Sequence, residues 1–563
     1  MKKTIRIILL LIIVCLLSSS CAINLNSKKD VEEDLYEEKY DVIDKGPVKG
    51  GSVRLFTTPV DTLNPILTNN VYVQDFLGLI FEGLYKIDDN QNTVPVLAKS
   101  SSISTDGLTL TIYLMDDIQW HDNMPFKPED VVFTINTIID KKNNSIYLKN
   151  VQNIESVVVG TGNSVIIKLK KPYSFIKNEL IFPIIPVHHF LNEKISDKKS
   201  KMNMLPIGTG PYSFISHDTK TGIKLKLNES WWNAAGDNSD SNAAENSKTK
   251  ESSVSLPYIP SVEISIFKNS NDANAAFQAR DIDAISTDYS EFRKYIGRTD
   301  ITMKRYTGRN YEFLSLNLKK GPLADKRVRN ALNILINKTQ LIDKAASGIA
   351  QTAEIPVMPN SWIYKLMNLQ QDTDSKKASE LLTQSGYVFD SSKNKYVKKS
   401  TKKILTLKLM INADNTLRYS VATEIASQLS KNGIDVDIVK VPWENVQKNI
   451  RAGSYDMAIM GYRISSIPDL SFAYSSTEIA SGLNTAGYSN PTVDSILQSI
   501  IIENDVEAQK EKYVNLFNII TEDRPYIGLF FLNESVMYSK NIRGALAPYA
   551  WNKYNDITQW YIP

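Results

Sequence analysis

The chain has 563 residues, and its 65 basic against 62 acidic side chains leave a formal net charge of +3. That balance lacks the basic excess of a nucleic-acid binder, and 2 cysteines are too few for a disulfide framework or a thiolate zinc site. With 42% hydrophobic residues spread over this length, the chain exceeds what one hydrophobic core supports, so two or more domains are expected.

Taken in chain order, Lys2, Lys3 and Arg6 form a positive start, residues 7–17 are a nearly continuous apolar run, and Ser18, Ser19 and Ser20 precede Cys21. The run is too short for a membrane span and reads as the core of a secretory signal over residues 1–20. The small residues before a cysteine resemble the lipobox of bacterial lipoproteins, with Leu17 standing one step earlier than that pattern prefers. The resemblance implies cleavage after Ser20 and a diacylglycerol on Cys21. An ordinary cleaved signal with an incidental Cys21 stays open as the alternative. Cys15 lies inside the signal, so a chain starting at Cys21 has no partner for an internal disulfide. Residues 22–49 carry alternating charge and little apolar periodicity, as expected of a solvated tether. No other stretch approaches the length of an apolar membrane span.

The body begins at Gly50-Gly51. Val53 and Leu55 alternate as in a strand, Asn64-Pro65 closes a turn, and Phe76, Leu79, Ile80, Gly83 and Leu84 follow at helical spacing. Asp106-Gly107 predicts a tight turn before an alternating strand over 108–114, and Pro128 suits the first turn of a helix reaching Asn136. Residues 234–255, rich in Asn, Ser, Asp, Lys and Ala, read as a surface insertion.

Across residues 50–131 the chain carries, in order, Gly50, Gly51, Arg54, Asp61, Leu63, Asn64, Pro65, Glu82, Gly83, Leu84, Pro95, Leu97, Ala98, Asp106, Gly107, Leu108, Trp120, Asp122, Pro125, Asp130 and Val131. Beyond them come Pro206 with GTGPY at 208–212, NESWW at 228–232, FQARDIDA at 277–284 and DKRVRNALNILINKTQLI at 325–342. WENVQKNIRAGSYDMAIMGY at 443–462 and AGYSNPTVDSIL at 486–497 complete the series. From about residue 50 to its end the chain resembles the family 5 extracellular solute-binding proteins, the oligopeptide, dipeptide and nickel receptors of ABC importers. It departs from their pattern at Asn123, at Arg280-Asp281 and at Asn337-Lys338.

The resemblance implies an α/β, two-lobed periplasmic-binding-protein fold of the large type (class II, cluster C) with an extra subdomain in lobe I. Lobe I would join residues 50–312 to 526–563, with the insertion at 234–255, and lobe II would span 319–520. Two apolar strands, over 313–318 and 527–532, are the expected hinge. A ligand touching both lobes would stabilise the closed form, the form an ABC permease recognises. A monomer, free of cofactor and anchored to the membrane only by lipid, is expected at the outer face of the cytoplasmic membrane or in the periplasm.

The same resemblance places the ligand residues. Where peptide receptors of the family carry an Asp for the peptide's α-ammonium, this chain has Ser465, whose hydroxyl cannot supply a charge-assisted contact. Asp469, four residues on, could replace it only in a rearranged loop. Where some relatives carry an Arg for peptide carboxylates, the chain has Ile459, while Arg463 is new in this loop and could meet an anionic ligand group or lie in solvent. Trp443 and Tyr462 align with aromatic residues at the pocket edge and could stack on a ligand or pack the core. Tyr147 lies where some relatives present a Tyr to ligand, with a structural role as the stronger reading. GTGPY is expected to be backbone architecture, with Tyr212 packed beneath it, since the Gly-Lys-Ser/Thr ending of a phosphate loop is missing.

Enzyme signatures are not found: no H-E-x-x-H, no G-x-S-x-G, no P-loop and no cysteine nucleophile in the mature chain. His188 and His189 are neighbours on an extended segment and make a poor chelate, so no metal site is expected. Transport reception of an oligopeptide or peptide-like solute is the leading expectation. A receptor for a metal chelate, opine or glycan, and a sensory surface lipoprotein, remain open beside it.

Overall fold

A computed structural model describes residues 46–191, 194–235, 255–287, 291, 293–367 and 373–563. The signal, Cys21, nearly all of the tether and most of the 234–255 insertion lie outside them. No helix among the described residues is long and apolar enough to cross a membrane.

Two four-stranded sheets form the first lobe. In one, Ser52–Thr57 pairs parallel with Ser261–Ile266, which continues antiparallel into Gly222–Leu227 and Tyr212–Asp218. The other runs Ala98–Ile103, Thr109–Leu114, Ser164–Leu169, Ile154–Val159, all antiparallel. The expected helix at Pro128 extends to Ile139, with Pro128 in its first turn and Asp130 accepting from the Lys127 N–H at 2.9 Å. The helical spacing after residue 71 holds only over Val71–Leu77. The chain turns at Gly78, the C-cap, and further on Gly83 lies so close to the Phe182 carbonyl that a Cβ there would sit 2.8 Å from it. One large core fills this lobe, and the chain's end completes it: Tyr538, Ile542, Tyr554, Ile557 and Trp560 all join. Trp560 is fully buried and its indole donates to the Ala545 carbonyl at 3.0 Å.

Three motifs of the sequence converge here. Glu82 is buried among the Trp231 and Trp232 indoles, which donate at 3.3 and 2.8 Å, and the Thr209 hydroxyl at 2.8 Å. Burial pushes its carboxyl up, against the three donors. Gly210 fits under the Leu79 carbonyl, where a Cβ would approach to 2.7 Å, and Tyr212 is buried beneath with its hydroxyl on the Ile259 carbonyl at 3.0 Å. GTGPY and NESWW are therefore structural, as the chemistry of the glycines suggested.

A seven-stranded mixed sheet runs through the joint into the second lobe, ordered Ala284–Thr287, Tyr526–Ser539, Ile301–Leu316, Met457–Arg463, Thr406–Asn412, Asp435–Val441, with Ala350–Thr352 also on Tyr526–Ser539. Met457–Met460 and Leu529–Leu532 read as unbroken apolar runs because both faces are covered there, while Thr406–Leu409 alternates and Asp435–Val441 keeps polar residues at the sheet edge. Alternation sorts them: Leu314, Leu316, Met457 and Ile459 enter one core, while Tyr311, Phe313, Ala458 and Met460 enter the other. Helices cover both faces, and side-chain caps fix their starts: Asp325, Asn337, Asn415, Asn490 and Asp505 each accept backbone N–H groups of the first turn.

The two longest strands belong to both lobes. Ile301–Leu316 pairs antiparallel with Tyr526–Ser539 over nearly its whole length. One end of that ribbon lies beside Ala284–Thr287, the other beside Met457–Arg463. Residues 313–316 of the first expected hinge strand and all of 527–532 are thus parts of longer strands, while 317–318 lie beyond the strand's end. The polar portions of these strands, such as Lys304 and Arg305, gave no apolar signal.

Candidate functional site

The ladder between the two long strands breaks between Thr307 and Tyr311 and again between Glu312 and Phe313. Around these breaks the two lobes meet. On the second lobe a floor of aromatic rings spreads from the sheet: Phe313 stacks on Tyr462 at 4.6 Å and on Tyr311 at 5.5 Å, and Phe472 stands edge-on to Tyr462 at 4.9 Å. Tyr462 donates its hydroxyl to the Leu483 carbonyl at 2.5 Å, and burial holds that hydroxyl protonated well above its ordinary range.

Behind the floor lies a buried ion pair. Arg418 donates to both oxygens of Glu312 at 2.8 and 3.0 Å. Gly461 allows this close approach, since a Cβ there would fall 2.6 Å from one Glu312 oxygen and 2.8 Å from the guanidinium. Trp443 opens the next helix, 39% exposed, its ring 5.7 Å from the Arg418 guanidinium carbon.

The loop after Met457–Arg463 carries the other residues singled out from sequence. Ser465 closes a turn on itself: its hydroxyl donates to the Ile467 carbonyl at 3.0 Å and accepts the Ile467 N–H at 3.2 Å. Asp469 accepts the Ser471 N–H at 2.8 Å and faces a cavity of about 10 Å³, room for about one water. Gln91 enters the same cavity from the first lobe, at the tip of the hairpin Tyr85–Ile87 and Thr93–Pro95, with φ +64°. Only 3% exposed, it donates to the Ser465 carbonyl at 3.1 Å and leaves its own side-chain oxygen buried without a partner. A strained, unsatisfied polar group at a cavity is a mark of function more than of stability.

Tyr462, Arg463, Ser465 and Asp469 thus share one strand and loop, with Trp443 one ion pair behind. Tyr147 belongs to the core of the first lobe, against Phe182 at 5.8 Å, and burial lifts its hydroxyl to about 12. His188 bonds Asp122 at 2.8 Å while His189 bonds the Met202 carbonyl at 3.2 Å, so neighbouring rings serve different partners. Among the described residues, no group of three His, Cys, Asp or Glu side chains gathers to hold a metal ion.

Gln91 escaped notice because a polar turn in sequence shows nothing of what it faces. The same holds for residues 173–179, which reach across the lobes. Ser174 donates its N–H to the Ile501 carbonyl at 2.7 Å, and Phe175, 3% exposed, is buried in the second lobe's core. Asn178 donates to the Ser466 carbonyl at 3.2 Å.

Beside them, burial pushes the Glu179 carboxyl from an ordinary 4.5 up to about 7, partly opposed by a hydrogen bond from Tyr173. The folded protein therefore keeps a proton there that the unfolded chain releases. This stabilisation is full below about pH 4.5 and is lost as pH rises through about 7. The unfolding free energy taken by urea titration from pH 5 to 8 should fall across that window, and Glu179→Gln should remove up to about 3 kcal/mol of the fall. An unchanged slope in the variant would remove Glu179 from the account.

Two lobes joined by crossing strands, with polar groups of both lobes converging where they meet, define a solute-binding protein of the periplasmic-binding type. The chain belongs to the bacterial extracellular solute-binding proteins, family 5, whose model matches residues 92–481. It is similar to the oligopeptide-binding protein AppA of Bacillus subtilis (strain 168), at 26% identity over 92% of each chain. Among solved structures it resembles NikZ of Campylobacter jejuni in complex with Ni(L-His), at 26% identity and TM-score 0.61, covering 91% of this chain and 99% of that one. The fold also matches the unliganded open form of the murein tripeptide-binding protein MppA, with TM-score 0.75 at 19% identity, covering 92% and 99%.

Proposed function

We propose that this protein is the receptor of an ABC importer, held by a lipid on Cys21 at the outer face of the cytoplasmic membrane, and that it captures a peptide or peptide-like solute between its lobes. The observation that carries the reading is the pair of long strands shared by both lobes, with its ladder broken between Thr307 and Tyr311. A broken ladder bends there with less loss than an intact one. On this reading the hinge falls just before the apolar stretch at 313–318. Lobe I ends near residue 307 and resumes near 533, and lobe II lies between.

The small cavity at Gln91 and Asp469 cannot hold a solute, so the Gln91 hairpin and the 464–472 loop must part to admit one. The polar groups exposed there are acceptors, the unpartnered Gln91 oxygen and the Asp469 carboxylate, and they suit a cationic group such as an amine. Ser465 spends its hydroxyl on its own turn. Asp469 on this reading takes the place of the missing family aspartate, and Tyr462 and Trp443 supply aromatic walls. The relative named for oligopeptides supports a peptide. The likeness to NikZ bound to Ni(L-His) favours, second, a small metal chelate.

Native mass spectrometry tests both proposals at once. Protein purified from membranes should carry a diacylglyceryl mass on the N-terminal Cys21, and should retain members of a tetrapeptide pool. Asp469→Asn should lower retention of free-amine peptides about tenfold or more, the value of one charge-assisted hydrogen bond. An unmodified N-terminus would end the anchor proposal. Retention of a metal chelate alone, with no peptide, would replace the first reading by the second.

A further inference from the structure

Beside the hinge, next to Ile464, the structure gathers hydrogen-bond donors that no acceptor among the described residues receives. Arg309 sits in the long strand Ile301–Leu316, next to Asn310, which pairs with Arg463 across the ladder. Its Nε donates to the Ile464 carbonyl at 2.6 Å, and the Ile464 N–H donates back to the Arg309 carbonyl at 2.9 Å, so its base is held firmly. Among the described residues its two terminal nitrogens have no partner. The guanidinium carbon lies 5.7 Å from the centroid of the Trp551 ring, and the Trp551 indole N–H is itself buried without an acceptor. Arg463, exposed and without an ion-pair partner among the described residues, acts on Arg309 as a like charge.

Burial and this repulsion together lower the Arg309 guanidinium from 12.5 to about 10, with Glu534 the only carboxylate opposing them. Glu534 makes no hydrogen bond to Arg309 and accepts instead from the Tyr306 hydroxyl at 3.1 Å. A charge this buried, facing a second positive charge and no bonded anion, weakens a fold. Such an arrangement is kept where a ligand completes it. Guanidinium forks and an indole N–H offer donors only, in the geometry that receives both oxygens of a carboxylate.

We infer that Arg309, Arg463 and the Trp551 indole form an oxyanion-binding corner of the solute site, which takes a carboxylate of the bound solute. The inference rests on the solute-binding reading above and adds a chemical class to it. Ile464 links this corner to the cavity at Gln91 and Asp469, so one solute could present an amine to one and a carboxylate to the other.

The test uses the full-length protein and two tetrapeptide pools of the same sequences, one with free C-terminal carboxylates and one C-amidated. Native mass spectrometry of the wild type should show the acid pool taken at least about tenfold more readily than the amide pool. Arg309→Met, which keeps the length of the side chain, should erase that preference while still taking the amide pool. Equal take-up of acid and amide by the wild type would overturn the inference, as would a preference that survives Arg309→Met. If the wild type takes neither pool, the peptide reading falls and sodium acetate at constant ionic strength decides the corner alone. It stands if acetate, against chloride, raises the melting temperature of the wild type and not of Arg309→Met, and falls otherwise.

Discussion

Replacing Arg418 with methionine is expected to destabilise the protein by about 3–5 kcal/mol, because the substitution strands the carboxylate of Glu312 in the interior. Glu312 lies in the long strand Ile301–Leu316 and its carboxyl is pushed up by burial, with only Arg418 acting against the shift. The two charged bonds of Arg418 to it, at 2.8 and 3.0 Å, are backed by a third from the same guanidinium to the Asn412 side chain at 3.2 Å. Methionine matches the length of the arginine stem and removes all three. The double variant Arg418→Met with Glu312→Leu should recover most of the loss, since two apolar side chains in a closed site are close to neutral relative to the pair. Urea unfolding of the single and double variants measures this. A single variant as stable as the wild type would mean that water reaches Glu312 and that the pair is not structural. The effect matters for the site because the pair lies against Gly461, directly below the aromatic floor that carries Tyr462.

The second large effect is expected from Phe175→Ala, and it should act on how the lobes are joined more than on either lobe alone. Phe175 belongs to the first lobe by its place in the chain, yet its ring is buried in the second lobe's core with Tyr513, Leu470 and Tyr474. Truncating a buried phenylalanine costs about 3–5 kcal/mol. Here that loss falls mainly on the docked arrangement, which should become less populated by about a hundredfold or more relative to separated lobes. What remains of the joint includes Tyr173, half-buried against the same core, and polar contacts: Ser174 on the carbonyls of Ile500 and Ile501 at 3.1 and 2.9 Å, and the Asn178 and Gln91 contacts to Ser466 and Ser465. Water competes for each of the polar contacts, so they hold less than the phenylalanine does. Small-angle scattering should show a larger radius of gyration for the variant, with far-ultraviolet circular dichroism unchanged. A loss of secondary structure would place Phe175 in the folding of the second lobe. Unchanged scattering would show that the remaining contacts suffice.

The family and fold were legible because their signals are local and repeated. Asn64-Pro65, Asp106-Gly107 and Pro128 act through their own backbone preferences, and an unbroken apolar run such as Met457 to Met460 reports two covered faces. Glu82, Thr209, Trp231 and Trp232 stood out only as separate motif members. Their common purpose, one buried carboxylate with three donors, exists only once the chain brings residues 82, 209 and 231 together. The absence of an aspartate at Ser465 was also readable, since charge is a property of the residue itself.

The two corners proposed for the solute were readable only through Asp469 and Arg463, and the reason is physical. Gln91 lies in a polar turn, Phe175 follows the bend at Lys170-Lys171-Pro172, and Arg309 sits in a strand segment with Lys304 and Arg305, where a solvated charge is the ordinary expectation. Burial, the loss of water and the approach of a like charge make these side chains unusual, and all three come from residues hundreds of positions away: Ser465 against Gln91, the core around Tyr513 against Phe175, Arg463 and Trp551 against Arg309. Which elements form, and which family's fold they build, follows from propensity, turn chemistry and periodicity, which act over a few residues. Which polar groups are left without partners between the lobes follows from long-range packing, because desolvation depends on what is placed above each one.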